Sequence, residues 1–231
     1  MKKMGTQSAT NSDGKELECS NIIIDITKVK EPAQWHPKCC IYRVPKKLRK
    51  VKEEAYTPKL TSIGPVHHNK ELENTKEQEN MESLKLRYFK EFFSRTWKGQ
   101  EEFSIIVQDN EVDIRHCYAE EISLPEKEDF VKMILLDSIF IIELFLRTST
   151  REIYENDDYI ISKTWLNEGI KHDLILLENQ IPFFILDKLY HHIGTGTSTH
   201  NSFLNLAWNY FFPSDNRILE EKEVKHFTDL Q

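Results

Sequence analysis

Apolar positions along the chain fall into blocks of helical rather than alternating spacing, separated by polar and proline-rich stretches. The block that organises the others is Asp173 to Tyr190, DLILLENQIPFFILDKLY, apolar almost throughout but with Glu178, Asn179, Gln180 and Pro182 at its centre. Pro182 has no amide donor and clashes with a preceding helical turn, so one continuous helix is disfavoured. The pattern predicts a helix pair over Asp173–His192, with Pro182 near the first position of the second helix. Asn179 and Gln180 then stand beside the break, where they can bond the backbone groups it frees.

The clearest amphipathic helix is Glu77 to Arg95. Met81, Leu84, Tyr88, Phe89, Phe92 and Phe93 recur there at three- and four-residue spacing, on one face. Glu101 to Tyr118 predicts a second helix, with Phe103, Ile106, Val107, Ile114 and Cys117 turned inward. A third runs from about Glu126 to Arg147, and its middle, MILLDSIFIIELF, is apolar nearly all round, as a central helix requires. Ser202 to Phe212 gives another apolar helix before Pro213, and Glu220 to Gln231 opens a pattern of Val224, Phe227 and Leu230.

Outside these blocks, residues 1–20 read as a disordered tail and Ile22 to Ile26 as a short strand-like run. From Glu31 to His68, Pro32, Pro37, Pro45, Pro58 and Pro65 keep regular structure short. Trp35, Tyr42, Val44, Leu48 and Tyr56 are expected to pin this arm onto the body. Thr148 to Trp165 is acidic and irregular, with Glu152, Glu155, Asp157 and Asp158 expected to be solvated, and Gly194 to Thr199 is a Gly/Thr/Ser loop. Helix follows helix without βαβ alternation. The fold class is mainly α, an irregular Pro-rich N-terminal arm packed on a multi-helix body with two central apolar helices, and residues 21–231 form one domain.

Composition narrows the function. A net charge of -7 argues against general nucleic-acid binding, and seven glycines are a poor supply for phosphate loops. Four cysteines, two of them adjacent, form no disulfide framework, and residues 1–20 contain no signal-peptide core, so a reducing, cytoplasmic location is expected. The most apolar stretch, Phe130 to Leu146, contains Lys132, Asp137 and Glu143 and falls short of the roughly 20 apolar residues of a membrane span.

Four blocks in order, CCIYRVPKKLR (Cys39–Arg49), YTPKLTSIGPVHHNK (Tyr56–Lys70), FVKMILLDSIFIIELF (Phe130–Phe145) and DLILLENQIPFFILDKL (Asp173–Leu189), carry a resemblance together with the RYFKEFFSR helix. The chain resembles the plant domain of unknown function 247 family from about Ile22 to Gln231. The resemblance implies no established enzymatic activity. It implies a longer protein ending in a C-terminal hydrophobic anchor at the plasma membrane, with some grass members acting in self-incompatibility. This chain is therefore expected to be truncated before that anchor, with membrane contact only through a segment outside it, and an unidentified protein is the expected partner.

Candidate chemistry is sparse. Asp137 and Glu143 lie on the most apolar helix, where a buried acid with a raised pKa is one reading; ion pairing, such as Glu143 with Arg147 at i+4 or Asp137 with the arm, is preferred. Glu178, Asn179 and Gln180 could place an acid beside an oxyanion-type amide, yet backbone satisfaction around Pro182 accounts for them. His36, Cys39, Cys40, His67 and His68 are the best metal-like set, but they lack finger spacing. Lys46, Lys47, Arg49, Lys50 and Lys52, with Lys38 and Arg43, form a basic run expected to meet the chain's own acidic stretches, with anionic lipid second. The GTGT at Gly194–Thr197 follows a helix and has no phosphate-loop ending. No catalytic, cofactor or metal residue is assigned. The expected function is non-enzymatic protein–protein recognition or scaffolding; the alternatives are a hydrolase or transferase using buried carboxylates around Asp137 and Glu178, or a metal-stabilised domain.

Overall fold

The computed structural model describes residues 35–68, 76–122, 124, 126–150, 158–194, 202–215, 217 and 223–230, without the side chains of 76–79. The expected tail over 1–20, the Ile22–Ile26 run, residues 151–157 of the acidic segment and residues 195–199 of the Gly/Thr/Ser loop lie outside the described residues. The described residues belong to one compact unit, Trp35–Gln231.

Its helices are α1 (Lys46–Arg49), α2 (Lys76–Arg95), α3 (Gln100–Asp109), α4 (Glu111–His116), α5 (Lys127–Ser149), α6 (Thr164–Leu174), α7 (Phe183–Ile193) and α8 (Phe203–Phe211), with 3-10 turns at Glu53–Ala55 and Phe227–Leu230. Among the described residues there is no strand beyond an isolated parallel bridge between Ile41 and Tyr118. The architecture is mainly α.

α5 is the centre, packed against α2, α3, α7 and α8. Ile134, Ile139, Phe140, Ile141, Ile142 and Leu144 are fully enclosed, which is why its sequence shows so little polar face. Each such side chain contributes about 1.5–3 kcal/mol on burial. Its C-terminal half meets an aromatic cluster: Phe145 stacks on Tyr210 at 4.3 Å between centroids and also touches Phe203, Phe211 and Phe227. Val224, Phe227 and Leu230 are all buried. Ser202 caps α8, its hydroxyl accepting the Asn205 N–H at 3.2 Å.

Two elements differ from expectation. The helix expected over Glu101–Tyr118 breaks at Asn110, whose side-chain amide donates to the Ile106 carbonyl at 2.7 Å and so ends α3 before α4 begins. The pair expected over Asp173–His192 holds only one helix, α7, with Pro182 as its N-cap. The first helix, α6, lies upstream and ends at Leu174, and Ile175–Ile181 is a buried turn.

The arm, Trp35–His68, runs over this body. Cys40 and Ile41 both donate their N–H to the Cys117 carbonyl, at 2.9 and 2.8 Å, and Ala119 donates back to Ile41 at 3.0 Å. Trp35 and Leu48 do not pin it, being 64% and 54% exposed; the apolar anchors are Cys40, Ile41 and Ile63. Gly64 sits at φ 70°, and a Cβ there would run into the Gln180 carbonyl, so the arm crosses the turn at a point only glycine permits.

Candidate functional site

The buried turn after α6 and the middle of α5 form one polar surface, and the arm is bonded to it. Asp173, at the end of α6 and fully buried, accepts three successive arm amides: Lys59 at 3.0 Å, Leu60 at 2.6 Å and Thr61 at 2.9 Å. A carboxylate in such a nest of N–H groups is neutralised without a cation. Asn179 Oδ1 accepts Ile63 N–H at 2.7 Å, and its amide donates to the carbonyls of Thr61 and Asp173 at 3.0 and 2.9 Å. Asp137 on α5 accepts Gly64 N–H at 2.9 Å and the Lys85 ammonium of α2 at 2.9 Å.

Gln180 turns the other way. Its amide donates to Leu174 and Leu176 carbonyls at 2.6 and 2.8 Å, while its oxygen accepts Phe227 N–H at 3.0 Å. The two amides therefore satisfy the backbone freed at the break, as their position beside Pro182 implies, and they also lock in the arm and the C-terminal turn.

Glu178 receives the basic run. It bonds Arg49, accepts Val44 N–H at 2.6 Å and meets His67 Nε2 at 3.4 Å. Burial alone would raise its carboxyl, but the His67, Arg49 and Val44 donors outweigh it and hold the pKa down to about 2. For Lys85, burial works to lower the ammonium, and Asp137 and Glu82 more than offset it, so its pKa is raised. On Asp137 burial outweighs Lys85 and the Gly64 amide, so its carboxyl is raised too, as the buried-acid reading of Asp137 expects. Of the rest of the basic run, Arg43 pairs with Glu120 at 2.8 Å and Lys38 with Asp113 at 2.7 Å, while Lys46, Lys47, Lys50 and Lys52 are exposed.

A second cluster ties α2 to α5. Arg147 donates to Glu143 at 2.6 Å, Asp158 at 2.8 Å and Glu91 at 2.7 Å, and lies 4.2 Å over the Tyr88 ring. Arg95 bonds Glu143 from the far side, and Tyr88 donates to Asp158 at 2.7 Å. The i+4 pairing of Glu143 with Arg147 is present, and Asp137 is bonded to the arm. Glu143, Asp158 and Glu91 meet on Arg147, whereas Asp137 has other partners, Lys85 and Gly64. A cleft of about 370 Å³ at the C-terminal ends of α2 and α5 is lined by Phe92, Arg95, Trp97, Lys98, Leu146 and Thr150 among others, and by none of the five buried carboxylates.

Among the described residues, no group of three or more His, Cys, Asp or Glu side chains is arranged to hold a metal ion. The metal-like set is dispersed: His36 stacks on His116 at 3.8 Å, His67 faces Glu178, and Cys40 lies against Cys117. No helix among the described residues is long and apolar enough to cross a membrane.

A family model described as plant protein of unknown function, DUF247, matches residues 41–231. The chain belongs to the DUF247 family. It is 35% identical over 176 residues to UPF0481 protein At3g47200 of Arabidopsis thaliana, a match covering 75% of this chain and 35% of that protein. It is 33% identical over 151 residues to the Putative UPF0481 protein At3g02645 of the same plant, covering 64% of this chain and 26% of that protein. The chain thus spans about a third or less of the curated DUF247 relatives it matches. No solved structure matches. The matched region begins at Ile41, so it takes in most of the arm together with the surface that receives it.

Sequence reasoning located Asp137, Glu143, Arg147 and the Glu178–Gln180 triplet but missed Lys85, Asp158 and the role of Asp173. Lys85 left a signal, since it shares the apolar face of α2 one residue after Leu84. Asp158 left none: it sits among other acids in a stretch expected to be solvated. It is buried instead, because Tyr88, Arg147 and the Ile160 and Ile161 amides all bond it.

The depressed carboxyls make stability pH-dependent with a defined sign. Glu178, and Asp158 whose two backbone amides, Tyr88 and Arg147 overcome the effect of burial, bind protons less readily folded than unfolded. Their contribution is complete above the unfolded carboxylate range, about 4, and fades as pH falls toward the Glu178 value of about 2. Urea midpoints measured between pH 6 and pH 2 are expected to fall, and the Glu178→Gln chain is expected to show a shallower fall. Equal slopes for the two chains would remove Glu178 from the account.

Proposed function

We propose that this chain is a non-enzymatic recognition domain acting through protein–protein contacts. The observation that carries the reading is the contrast between its interior and its tryptophans. Asp137, Glu143, Asp158, Asp173 and Glu178 are each occupied by arm amides, turn amides, arginine or lysine, leaving a scaffold rather than a reaction centre. Of the four tryptophans only Trp208 is buried, while Trp97, Trp35 and Trp165 stand 104%, 64% and 63% exposed. Tryptophan, with tyrosine and arginine, is enriched among the energetic anchors of protein interfaces.

One observation favours an enzyme instead. His67 and Glu178 are an imidazole–carboxylate pair, the arrangement general acid–base chemistry uses. Both are enclosed, and Arg49 and Val44 share the carboxylate, so no substrate reaches it without removal of the arm.

A photocrosslinking amino acid placed at 35, 97 or 165, with Lys132 on the solvated face of α5 as control, tests the recognition reading in plant extract. A discrete adduct is expected from a tryptophan position. The purified adducted protein should bind the chain saturably, and binding should fall at least tenfold in the triple variant Trp35→Ala, Trp97→Ala, Trp165→Ala with unchanged melting. Adducts no different from those at 132, or binding indifferent to the triple variant, would refute it.

A further inference from the structure

We propose that Cys40 and Cys117 are a modification site, a dithiol that a peroxide converts into an intramolecular disulfide joining the arm to the end of α4. The backbone brings them together. Ile41 and Tyr118 form a parallel bridge, and Cys40 N–H and Ile41 N–H share the Cys117 carbonyl at 2.9 and 2.8 Å. Cys40 and Cys117 each precede a bridged residue, so they stand opposite one another across a spacing of about 5 Å. That lies within the Cα separation of about 4.4–6.8 Å that a disulfide spans. Both thiols are buried beside this bridge, and the Cys117 thiol donates to the Asp113 carbonyl at 3.3 Å.

Two buried cysteines often serve only as small apolar side chains. Here the pair is differentiated in the way a dithiol needs. The neighbouring Cys40, aided by Lys38, holds the Cys117 thiol below its ordinary value against burial, while Cys117 and burial push Cys40 up. In the proposed sequence Cys117 attacks and Cys40 resolves, and the linked product is the same if the two exchange roles. Cys39 is poorly placed for either role, since it neighbours Cys40 in sequence, where a bridge is strained, and lies one residue outside the bridge to Cys117. Both members are 4–7% exposed rather than sealed like the α5 core, and hydrogen peroxide is a small oxidant.

The chemistry balances. The Cys117 thiolate attacks hydrogen peroxide, forming an S–O bond as the O–O bond breaks; the departing hydroxide takes a proton and leaves as water. Cys40 then gives up its proton and attacks that sulfur, forming S–S while the S–O bond breaks and a second water departs. Two thiols are oxidised by two electrons and the peroxide is reduced. The product pins the first half of the arm covalently, and a thiol reductant reverses it.

The test treats the 231-residue chain with hydrogen peroxide under native conditions, then denatures it, alkylates free thiols and maps peptides by mass spectrometry. The expected result is a fall from four alkylatable cysteines to two, in a monomeric chain lighter by two hydrogens, with Cys40 linked to Cys117. The oxidised chain should melt higher, and dithiothreitol should return the original melting. Cys39→Ser should leave the linked peptide intact; Cys40→Ser should abolish it and leave a Cys117 sulfenate that dimedone traps. Should Cys40→Ser fail to fold, the wild-type map decides alone. A link through Cys19 or Cys39, or four thiols still alkylatable after excess peroxide, would overturn the proposal.

Discussion

Asp173→Ala is expected to destabilise the chain by about 3–5 kcal/mol and to release the arm before the helices. Three consecutive amides, at Lys59, Leu60 and Thr61, end on this one carboxylate, and Asp173 is fully buried. An amide left without an acceptor in a buried site costs about 1–3 kcal/mol, and hydrogen bonds to a charged group sit at the strong end of that range. The sum is discounted because Lys59 is exposed and Leu60 partly so, and water can reach their amides. Asp173→Asn keeps one acceptor oxygen and should lose about half as much. Urea denaturation gives the magnitude, and hydrogen exchange gives the place: amides 59–61 and 63 should lose protection while α5 keeps it. A cost below about 1 kcal/mol, or unchanged protection at 59–61, would mean that the arm is held by its other ties, at Asn179, Asp137, Glu178 and the buried Ile41 and Ile63, without need of Asp173.

That result would also mark where sequence reasoning stops. α2, α5 and α8 were legible because their apolar residues repeat at helical spacing. α6 was not, although Leu166, Ile170 and Leu174 carry the same spacing. The apolar run continues past its end into a turn that is itself buried, and periodicity cannot tell a buried turn from a helix when side chains rather than helical bonds satisfy the backbone. Asn179 and Gln180 do this for the carbonyls of Asp173, Leu174 and Leu176. Pro182 revealed the break but not on which side the chain stops being helical.

The arm was legible as irregular and no further. Its partners are fixed by contacts across 73 residues for Gly64 with Asp137 and 134 for Val44 with Glu178. Spacing along the chain does not encode such pairings. Of the expected anchors, Trp35 and Leu48 face solvent while Tyr42, Val44 and Tyr56 are half-buried, and the arm's amides meet the body. Polar residues at the centre of an apolar block were the better guide, since a buried carboxylate or amide implies a partner from elsewhere in the chain.

Arg147→Met is expected to be the other large loss, about 3–5 kcal/mol, although methionine fills much of the same volume. The guanidinium is the only described group that touches Glu143, Asp158 and Glu91 together, and Glu143 and Asp158 are buried. Arg95 remains on Glu143, whereas Asp158 keeps only Tyr88 and the amides of Ile160 and Ile161. Burial pushes the Arg147 group down and its three carboxylates push it up further, so the charge never leaves to relieve the site. The cost therefore belongs to the stranded carboxylates and not to the missing cation, which makes a second substitution informative. Asp158→Asn in the Arg147→Met background should recover part of the loss, while the same change in the wild-type chain should be destabilising. Opposite signs in the two backgrounds identify a charge-balanced tie between α2 and α5. If Asp158→Asn costs the same in both, Arg147 acts mainly through its packing on the Tyr88 ring.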